Sequence, residues 1–305
     1  MPQKVVVIGA SNIDLIGVSD DKIIMHDSNL GTVHKVFGGV GRNIAENLGR
    51  LKLKPTFITV IGHDHDGRQL LENLRDVEVD VLPIKAASSS YYMAFLDHQG
   101  DMVAAINDMK NIEALNQSSL RGFEQNLKNA DKIVFDTNID METMAYILKF
   151  DAPIYIDAIS TKKARKIMPY LDRIDTLKCN RYEALVLAEC KAEEAMENEI
   201  LVKNILKRGV KRVFMTVGEK GVFIGEKNEV KHIKAPFVKV INATGAGDAF
   251  LSGVIYGDCH HENPAVYGLA LAYLTLQDYP SVNPKLNPKT LKKIVRERFT
   301  DETNH

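Results

Sequence analysis

The residues best suited to chemistry lie in the stretch INATGAGDAF, residues 241–250, where Asp248 follows Gly245, Ala246 and Gly247. Small residues let backbone N–H groups approach a ligand closely, and N–H groups at a helix N-terminus attract anions. Asp248 would repel a bound phosphate unless a proton or a cation intervened. The pattern therefore favours a site where a carboxylate takes a proton while an anionic group is transferred. A tight turn with Asp248 as a helix cap is the structural alternative.

A second candidate pair is Asn180 and Glu183 in the stretch NRYE. Side chains at this spacing share one face if a helix begins there, so both could face the same ligand. The same two residues fit a helix capping box equally well, and the two interpretations are compatible.

Two common phosphate-binding motifs are missing from the sequence. It contains no GxxxxGK[ST] loop, and neither VVVIGASNID nor GGVGRN completes a GxGxxG pattern. This lowers the case for a P-loop protein or a dinucleotide-binding protein, so any phosphate chemistry must use another architecture.

The elements that position these residues alternate along most of the chain. Residues 38–51 contain a glycine-rich turn followed by an amphipathic helical pattern, and a second amphipathic helical pattern spans residues 66–76. Apolar, strand-like segments occur at 4–8, 55–62, 132–138, 152–158, 173–180 and 212–218. This alternation predicts an α/β fold with a doubly wound, mainly parallel sheet.

Two segments interrupt the alternation, at about 15–36 and 88–107. Both look extended, with turns at DSNLG and DHQG, and we interpret them as a small β-sheet inserted into the α/β body. Such a sheet is a candidate lid over a site. The predicted plan is a single domain over residues 1–305 with this lid.

Composition excludes several classes of partner. The 305-residue chain has a formal net charge of −1, which gives no reason to expect nucleic acid or an anionic membrane as partner. No apolar run approaches the roughly 20 residues that span a bilayer. The near-neutral balance fits a small-molecule ligand better. Cys179, Cys190 and Cys259 are scattered and form no CxxC pair, which argues against a disulfide framework and a structural zinc site, so we expect a cytoplasmic protein.

Six motifs in order resemble the ribokinase-like (PfkB) family of sugar and nucleoside kinases, nearly from end to end. They are GASNIDLIG at 9–17, GGVGRNIAENLGRL at 38–51, VIGHDHDG at 60–67, LKCNRYEA at 177–184, TVGEKG at 216–221 and NATGAGDAF at 242–250. The resemblance implies a ribokinase-like fold and phosphoryl transfer from ATP with Mg²⁺.

The resemblance also implies roles on the nucleotide side. Asp248 would be the general base for the substrate hydroxyl, and the amides of Gly245, Ala246 and Gly247 would form an anion hole for the phosphoryl group. Asn180 and Glu183 would support the magnesium–triphosphate, with Glu183 reaching the metal through water. The remaining nucleotide-binding candidates are Thr216, Gly218, Gly221 and Asn283.

On the acceptor side, Asn12 and Asp14 follow the first strand, where α/β sheets bind ligands, although an Asx-turn is the structural alternative. By resemblance, Asp14 accepts hydrogen bonds from sugar hydroxyls, and Gly38, Gly39 and Asn43 complete the ribose cradle. The stretches 27–48 and AINDM most resemble the branch of the family that phosphorylates pseudouridine. The further acceptor-side candidates are Asn138, facing the substrate, and the base readers Ser11, Arg42, Asn107 and Asp108.

Two metal questions arise from the sequence. His63 and His65 in GHDHDG are interpreted as solvated loop residues rather than ligands. Asn242 and Ala243 stand where the family usually has Asp-Thr, and in many relatives that aspartate helps to bind a monovalent cation. Because the charge is missing here, K⁺ dependence is not expected.

Three functions remain open at this point. The first is a pseudouridine kinase, and the second is a kinase of ribose, another sugar or an ordinary nucleoside. The third is a non-catalytic nucleoside sensor, which the intact base and anion hole disfavour. Similar lids pair through exposed strands, so a homodimer is also expected.

Overall fold

A computed structural model describes residues 3–190 and 196–299 of the chain. The described strands are β1 (Val5–Ile8), β2 (Asn12–Ser19), β3 (Gly31–Gly38), β4 (Thr56–Gly62), β5 (Asp80–Ala86), β6 (Tyr91–Leu96), β7 (Met102–Asp108), β8 (Lys132–Asp136), β9 (Ile154–Asp157), β10 (Thr176–Asn180), β11 (Arg212–Thr216), β12 (Val222–Glu226) and β13 (Glu229–Ile233). The described α-helices are α1 (Val40–Arg50), α2 (His65–Asp76), α3 (Gln117–Leu120), α4 (Glu124–Lys128), α5 (Met141–Ile147), α6 (Thr161–Ala164), α7 (Arg181–Leu187), α8 (Asn198–Lys207), α9 (Ala246–His260), α10 (Pro264–Leu276) and α11 (Pro288–Arg298).

The larger sheet has nine strands in the order β13-β12-β11-β10-β9-β8-β1-β4-β5. Its strands from β11 to β5 pair in parallel, whereas β12 and β13 pair antiparallel at one edge. The central strands β1 and β8 are buried along their whole length, as expected when helices cover both faces of a sheet. The predicted doubly wound, mainly parallel α/β fold is confirmed.

Helices pack on both faces of this sheet and form two apolar clusters. One contains Ile44 and Leu48 of α1 with Phe250 of α9 and Leu271 of α10. The other, on the opposite face, includes Leu185 of α7 and further residues of α5 and α8. As a result α1 and α9 lie side by side on one face, which brings their N-terminal residues together.

The smaller sheet has four strands in the order β3-β2-β6-β7. The expected smaller sheet is therefore present, and its strands begin at Asn12 and extend to Gly38 and Asp108, beyond the two segments considered above. Within the described residues, no helix is long and apolar enough to cross a membrane.

Candidate active site

The N-terminus of α9 is shaped by Gly245, which has φ 80°, a left-handed backbone conformation that glycine adopts without strain. A Cβ atom at this position would lie 2.1 Å from the carbonyl oxygen of Ser281. The close approach lets the helix begin at Ala246, directly against the loop that contains Ser281. Because the first N–H groups of a helix have no intrahelical acceptors, this end can bind an anion.

Asp248, in the first turn of α9, is only 8% exposed. Its Oδ2 accepts a hydrogen bond of 2.6 Å from Nδ2 of Asn43. Burial, reinforced by the charge of Asp157, raises the pKa of Asp248 to about 7, although Asn43 and Lys178 oppose the rise. The carboxyl group can therefore take up and release a proton near neutral pH, as a general base requires.

Lys178 was not identified from the sequence as a site residue. It is buried on β10, where Nζ lies 3.0 Å from Oδ2 of Asp157, outside hydrogen-bond geometry, and donates to Oδ1 at 3.3 Å. A Cβ on Gly247 would lie 2.5 Å from this ammonium group. Lys178 thus places a positive charge against the first turn of α9. The available signal was a lysine flanked by Leu177 and Cys179 inside a buried strand.

Several acids keep this lysine charged. Burial acts to lower the pKa of Lys178, but the negative charges of Asp157, Glu183 and Asp248 raise it above its usual value. The ammonium group and the adjacent helix N-terminus together favour an anion at this position.

Arg42 is 3% exposed and lies in the first turns of α1. Its guanidinium donates to Oε2 of Glu46 and to Oδ1 of Asn43. Because Oδ1 of Asn43 accepts from Arg42, Nδ2 of Asn43 points to Asp248 and donates to it. Burial lowers the pKa of Arg42 against the opposing charges of Glu46, Asp14 and Asp248. Arg42 therefore orients Asn43 from beneath the site, and these contacts disfavour its predicted role as a base reader.

On β2, Asn12 donates from Nδ2 to Oδ1 of Asp14 at 2.5 Å. Burial raises the pKa of Asp14 to about 6, while Asn12 and Arg42 act to lower it. A Cβ on Gly38 would lie 2.3 Å from Oδ2 of Asp14, so this position has no room for a side chain. Gly39 then caps the start of α1, where its carbonyl accepts from the Asn43 N–H at 2.8 Å.

Asp136, at the end of β8, is a second buried residue that the sequence did not indicate. Its Oδ2 accepts from the backbone N–H groups of Ala10 and Gly41, each at 3.0 Å. Its Oδ1 accepts from the N–H of Asn138 at 2.8 Å, and Nζ of Lys163 donates to the Asn138 side chain at 2.5 Å. The Asp136 carboxylate therefore stabilises the positions of the loop after β1, the start of α1 and the candidate residue Asn138.

The remaining candidate base readers fall in different environments. The hydroxyl of Ser11 is buried and donates to the carbonyl of Val60 at 3.0 Å. Register pairs Asp14 with Tyr92 and Tyr92 with Asn107, so Asp14 and Asn107 share one face of the smaller sheet. Asp108 pairs with Tyr91 and points to the opposite face. Asn107 and Asp108 therefore lie on opposite faces of the smaller sheet and cannot both contact a ligand bound on one face.

A cavity of about 720 Å³ joins the predicted nucleotide-binding residues to the start of α9. Thr216, Gly218 and Gly221 line it together with Ala246 and Gly247. Most of its remaining lining is apolar, and includes Phe237 and Tyr273. A groove of about 830 Å³ shares Thr216 and Gly218 and continues to Asn180. The two spaces meet at Thr216, Gly218 and Lys220.

Asn180 and Glu183 form the capping box at the start of α7. Asn180 Oδ1 accepts from the Glu183 N–H at 2.9 Å, and Glu183 accepts from the Asn180 backbone N–H at 2.7 Å. The other Glu183 carboxylate oxygen accepts from Asn180 Nδ2, also at 2.7 Å, and the residue is 1% exposed. Both carboxylate oxygens of Glu183 are thus occupied by Asn180, which disfavours direct contact of this carboxylate with a metal.

A dedicated protein cage for a metal is not found in the described chain. Across residues 3–190 and 196–299, no three His, Cys, Asp or Glu side chains cluster at metal-ligand spacing.

Asn283, another of the predicted nucleotide-binding residues, forms hydrogen bonds with the local backbone. Its Nδ2 donates to the Leu274 carbonyl at 2.9 Å, and its Oδ1 accepts from the Lys285 N–H at 2.9 Å. It is not among the described residues that line the cavity at α9. The structure thus gives Asn283 a role in holding the loop after α10.

Comparison with known proteins places these features in context. A family model described as pfkB family carbohydrate kinase matches residues 2–279. The chain is 36% identical to the pseudouridine kinase of Escherichia coli K12 over 256 residues, which cover 82% of each chain.

More distant matches extend the comparison. The chain is 26% identical to the guanosine-inosine kinase of Exiguobacterium acetylicum, over 83% of this chain and 86% of the relative. The ribokinase of Arabidopsis thaliana, solved in complex with ribose and ATP, superposes with a TM-score of 0.80 at 22% identity. That superposition covers 97% of this chain and 99% of the ribokinase, which supports the shared fold.

Proposed function

Because the chain belongs to the pfkB family of carbohydrate kinases, we propose that it phosphorylates the 5′-hydroxyl of pseudouridine, giving pseudouridine 5′-phosphate and ADP. The observation that carries the chemistry is the position of Asp248. It lies between Asn43 on the acceptor side and the α9 N-terminus with Lys178 on the phosphate side. The choice of pseudouridine is supported by the 36% identity to a pseudouridine kinase.

In the proposed transfer, the oxygen of the 5′-hydroxyl forms a bond to the γ-phosphorus of ATP. The Asp248 carboxylate accepts the proton that this hydroxyl loses. The bond from that phosphorus to the bridging oxygen breaks, and the electron pair leaves with ADP. A weak base is sufficient, because phosphoryl transfer depends mainly on positioning and charge neutralisation. The raised pKa of Asp248, about 7, suits a group that must gain and later lose this proton.

The phosphate side is formed by backbone groups and one cation. The amides after Gly245 would stabilise the equatorial oxygens of the transferred group, and Lys178 would offset their negative charge. Bound Mg²⁺ would supply further charge neutralisation. Asn180 and Glu183 would hold its water ligands, while the cavity beside Thr216, Gly218 and Gly221 would take the rest of ATP.

The acceptor side relies on side chains. Asp14 would accept hydrogen bonds from sugar hydroxyls, with Asn12 orienting its carboxylate, and Gly38 leaving room beside it. Asn107, on the same sheet face as Asp14, is the remaining candidate for reading the base edge. Asn138 would contribute from the end of β8. A single hydrogen bond that matches one substrate edge can dominate selection among close analogues.

The smaller sheet is proposed as a lid that excludes water from the phosphoryl group. Its other face carries Val33, Phe95 and Ile106, three exposed apolar side chains that the strand register puts on one side. We propose that this face pairs with the same face of a second copy, forming a homodimer. Light scattering that shows only monomer at working concentration would remove the dimer.

Two rival functions remain for the test. A kinase of ribose or of an ordinary nucleoside would keep the same base and anion hole, and the matches to a guanosine-inosine kinase and a ribokinase favour keeping it in view. A non-catalytic nucleoside sensor would bind its ligand without turnover, but the site retains a buried, titratable Asp248.

The decisive experiment measures ADP release from Mg-ATP with pseudouridine, uridine, adenosine and ribose supplied separately. Asp248→Asn serves as the matched control because it keeps the shape and removes the base. Turnover on pseudouridine well above the other acceptors supports the proposal. Preference for ribose or uridine retains the kinase and rejects the acceptor. Nucleotide binding with no turnover on any of the four contradicts the proposed reaction.

A further inference from the structure

The loop before α9 is tied to the loop after α10 by the side chain of Asn242. Its Nδ2 donates to the carbonyl of Tyr279 at 2.6 Å, and its Oδ1 accepts from the N–H of Thr244 at 2.9 Å. The two contacts fix the orientation of the carboxamide, because a carbonyl can only accept and an N–H can only donate. The nitrogen of Asn242 must therefore face Tyr279.

These two loops set the position of the anion hole. The Ile241 N–H also donates to the Leu276 carbonyl at 2.8 Å, and Gly245 lies directly against the backbone of Ser281. Any change in the separation of the loops would therefore move Gly245 and the first turn of α9 with it. An anion hole of backbone amides tolerates little displacement, since it works through hydrogen bonds of about 3 Å.

We propose that Asn242 is a positioning residue whose N–H to Tyr279 does the work that a monovalent cation would otherwise do between these loops. This inference rests on the proposed kinase function. With a carboxylate at position 242, an anionic oxygen would face a carbonyl oxygen, and a cation would be needed to hold the two together. The carboxamide instead supplies its own positive end, so the residues present do not fit a bound K⁺ ion.

The test compares wild type with Asn242→Asp and Asn242→Ala. Turnover and KM values are measured in KCl, NaCl or tetramethylammonium chloride at equal ionic strength, on the acceptor that wild type uses best. Melting temperatures are recorded in the same salts without substrates. Asn228→Asp is the matched control, because it adds the same single charge in the exposed turn between β12 and β13.

Wild type and Asn228→Asp should work equally well in all three salts. Asn242→Asp should lose about tenfold or more in kcat in tetramethylammonium, because the hydrogen bond to Tyr279 is lost and a carboxylate oxygen then faces its carbonyl oxygen, and should recover in KCl. Its melting temperature should rise selectively with K⁺, because a ligand that binds only the folded state stabilises it. Asn242→Ala should be slower in every salt with little change in acceptor KM.

Three results would overturn the inference. The first is wild-type turnover that depends strongly on K⁺, and the second is an Asn242→Ala enzyme with full kcat. The third is an Asn242→Asp enzyme that responds alike to the three salts in both rate and melting temperature. If wild type has no turnover on any acceptor, the proposed function fails instead, and a K⁺-specific rise in the Asn242→Asp melting temperature still reports on the loop contact.

Discussion

The proposed site has a phosphate half and an acceptor half, and different kinds of chemical groups form them. The phosphate half consists of the α9 N-terminus, a left-handed glycine and a buried lysine on a central strand, all packed against the core. The proposed acceptor half comprises the carboxylate of Asp14 and the carboxamide of Asn107, which lie on the smaller sheet. Its outer strand, β7, is exposed along its whole length.

This difference separates the chemistry from the choice of acceptor. Backbone amides behind close-packed glycines can be kept while surrounding side chains change, so one phosphate half can serve many kinases. The acceptor half can change its specificity through single side chains without disturbing the core. The following variants should therefore act on one half and spare the other.

The largest effect is expected from Asp248→Asn, which removes the base where the two halves meet. Turnover should fall by at least about 10²-fold. In wild type, kcat/KM should rise with pH through about 7, as the carboxylate becomes deprotonated. ADP release across pH 5.5–9 measures both effects, and an Asp248→Asn enzyme with normal turnover would exclude the base.

The same variant should show the opposite effect on stability. Because burial raises the folded-state pKa of Asp248 to about 7, the folded state binds the extra proton between that pH and the unfolded pKa of about 4. Wild-type stability from this group is thus lost as pH rises through that interval. Asp248→Asn should melt at a higher temperature than wild type at pH 8, and this gain should vanish towards pH 4.

A second loss, of about 10²-fold in kcat, is expected when the charge of Lys178 is removed. Lys178→Met alone would leave Asp157 buried without its partner, which destabilises a fold strongly. The informative comparison is therefore Asp157→Asn/Lys178→Met against Asp157→Asn, with melting temperatures confirming that both fold. Equal turnover in the two would show that Lys178 has no part in phosphate transfer.

Within the acceptor half, Asp14→Asn should raise the acceptor KM by about 10- to 100-fold, the value of a hydrogen bond to a charged group. The KM for ATP should change little. Asp20→Asn, an exposed residue just beyond β2, is the control for lost charge. An equal rise in both KM values would contradict the separation of the two halves.

The smallest effect, a change of a few-fold in preference among nucleosides, is expected from Asn107→Ala, because it removes one neutral hydrogen bond. Asp108→Ala is the adjacent control on the opposite sheet face and should leave preference unchanged. Ratios of kcat/KM for pseudouridine and uridine measure the effect. Altered preference in Asp108→Ala alone would reverse the assignment of the two faces.

Local pattern indicated the α9 N-terminus and the parallel strands of the phosphate half, but it did not indicate Lys178. The run of small residues before Asp248 indicates an anion site, and the buried β-branched runs indicate parallel strands. The β12–β13 hairpin was not anticipated. Its turn uses Lys227 and Asn228 with φ 49° and 67°, and β13 is polar and largely exposed, so hydrophobic periodicity gives little signal there.

The acceptor half required information that local pattern does not contain. Which face Asp108 occupies depends on the register between β6 and β7, which includes a bulge near Leu96. Arg42 turns inward because Glu46, one helical turn later, and Asn43 accept hydrogen bonds from its guanidinium.

In the phosphate half, Lys178 could not be identified as a site residue from its own strand. It becomes a candidate only because the fold places Gly247 next to its ammonium group.

The hydrogen bond from Asn43 to Asp248 joins residues that are 205 positions apart in the chain. During synthesis the N-terminal strands and α1 leave the ribosome long before α9 exists, and domains generally begin to fold from that end. The nascent chain therefore contains the proposed acceptor residues of β2 and α1 long before it contains the proposed base, Asp248. We expect phosphoryl transfer to begin only after α9 has left the ribosome, so shorter nascent chains consume no ATP.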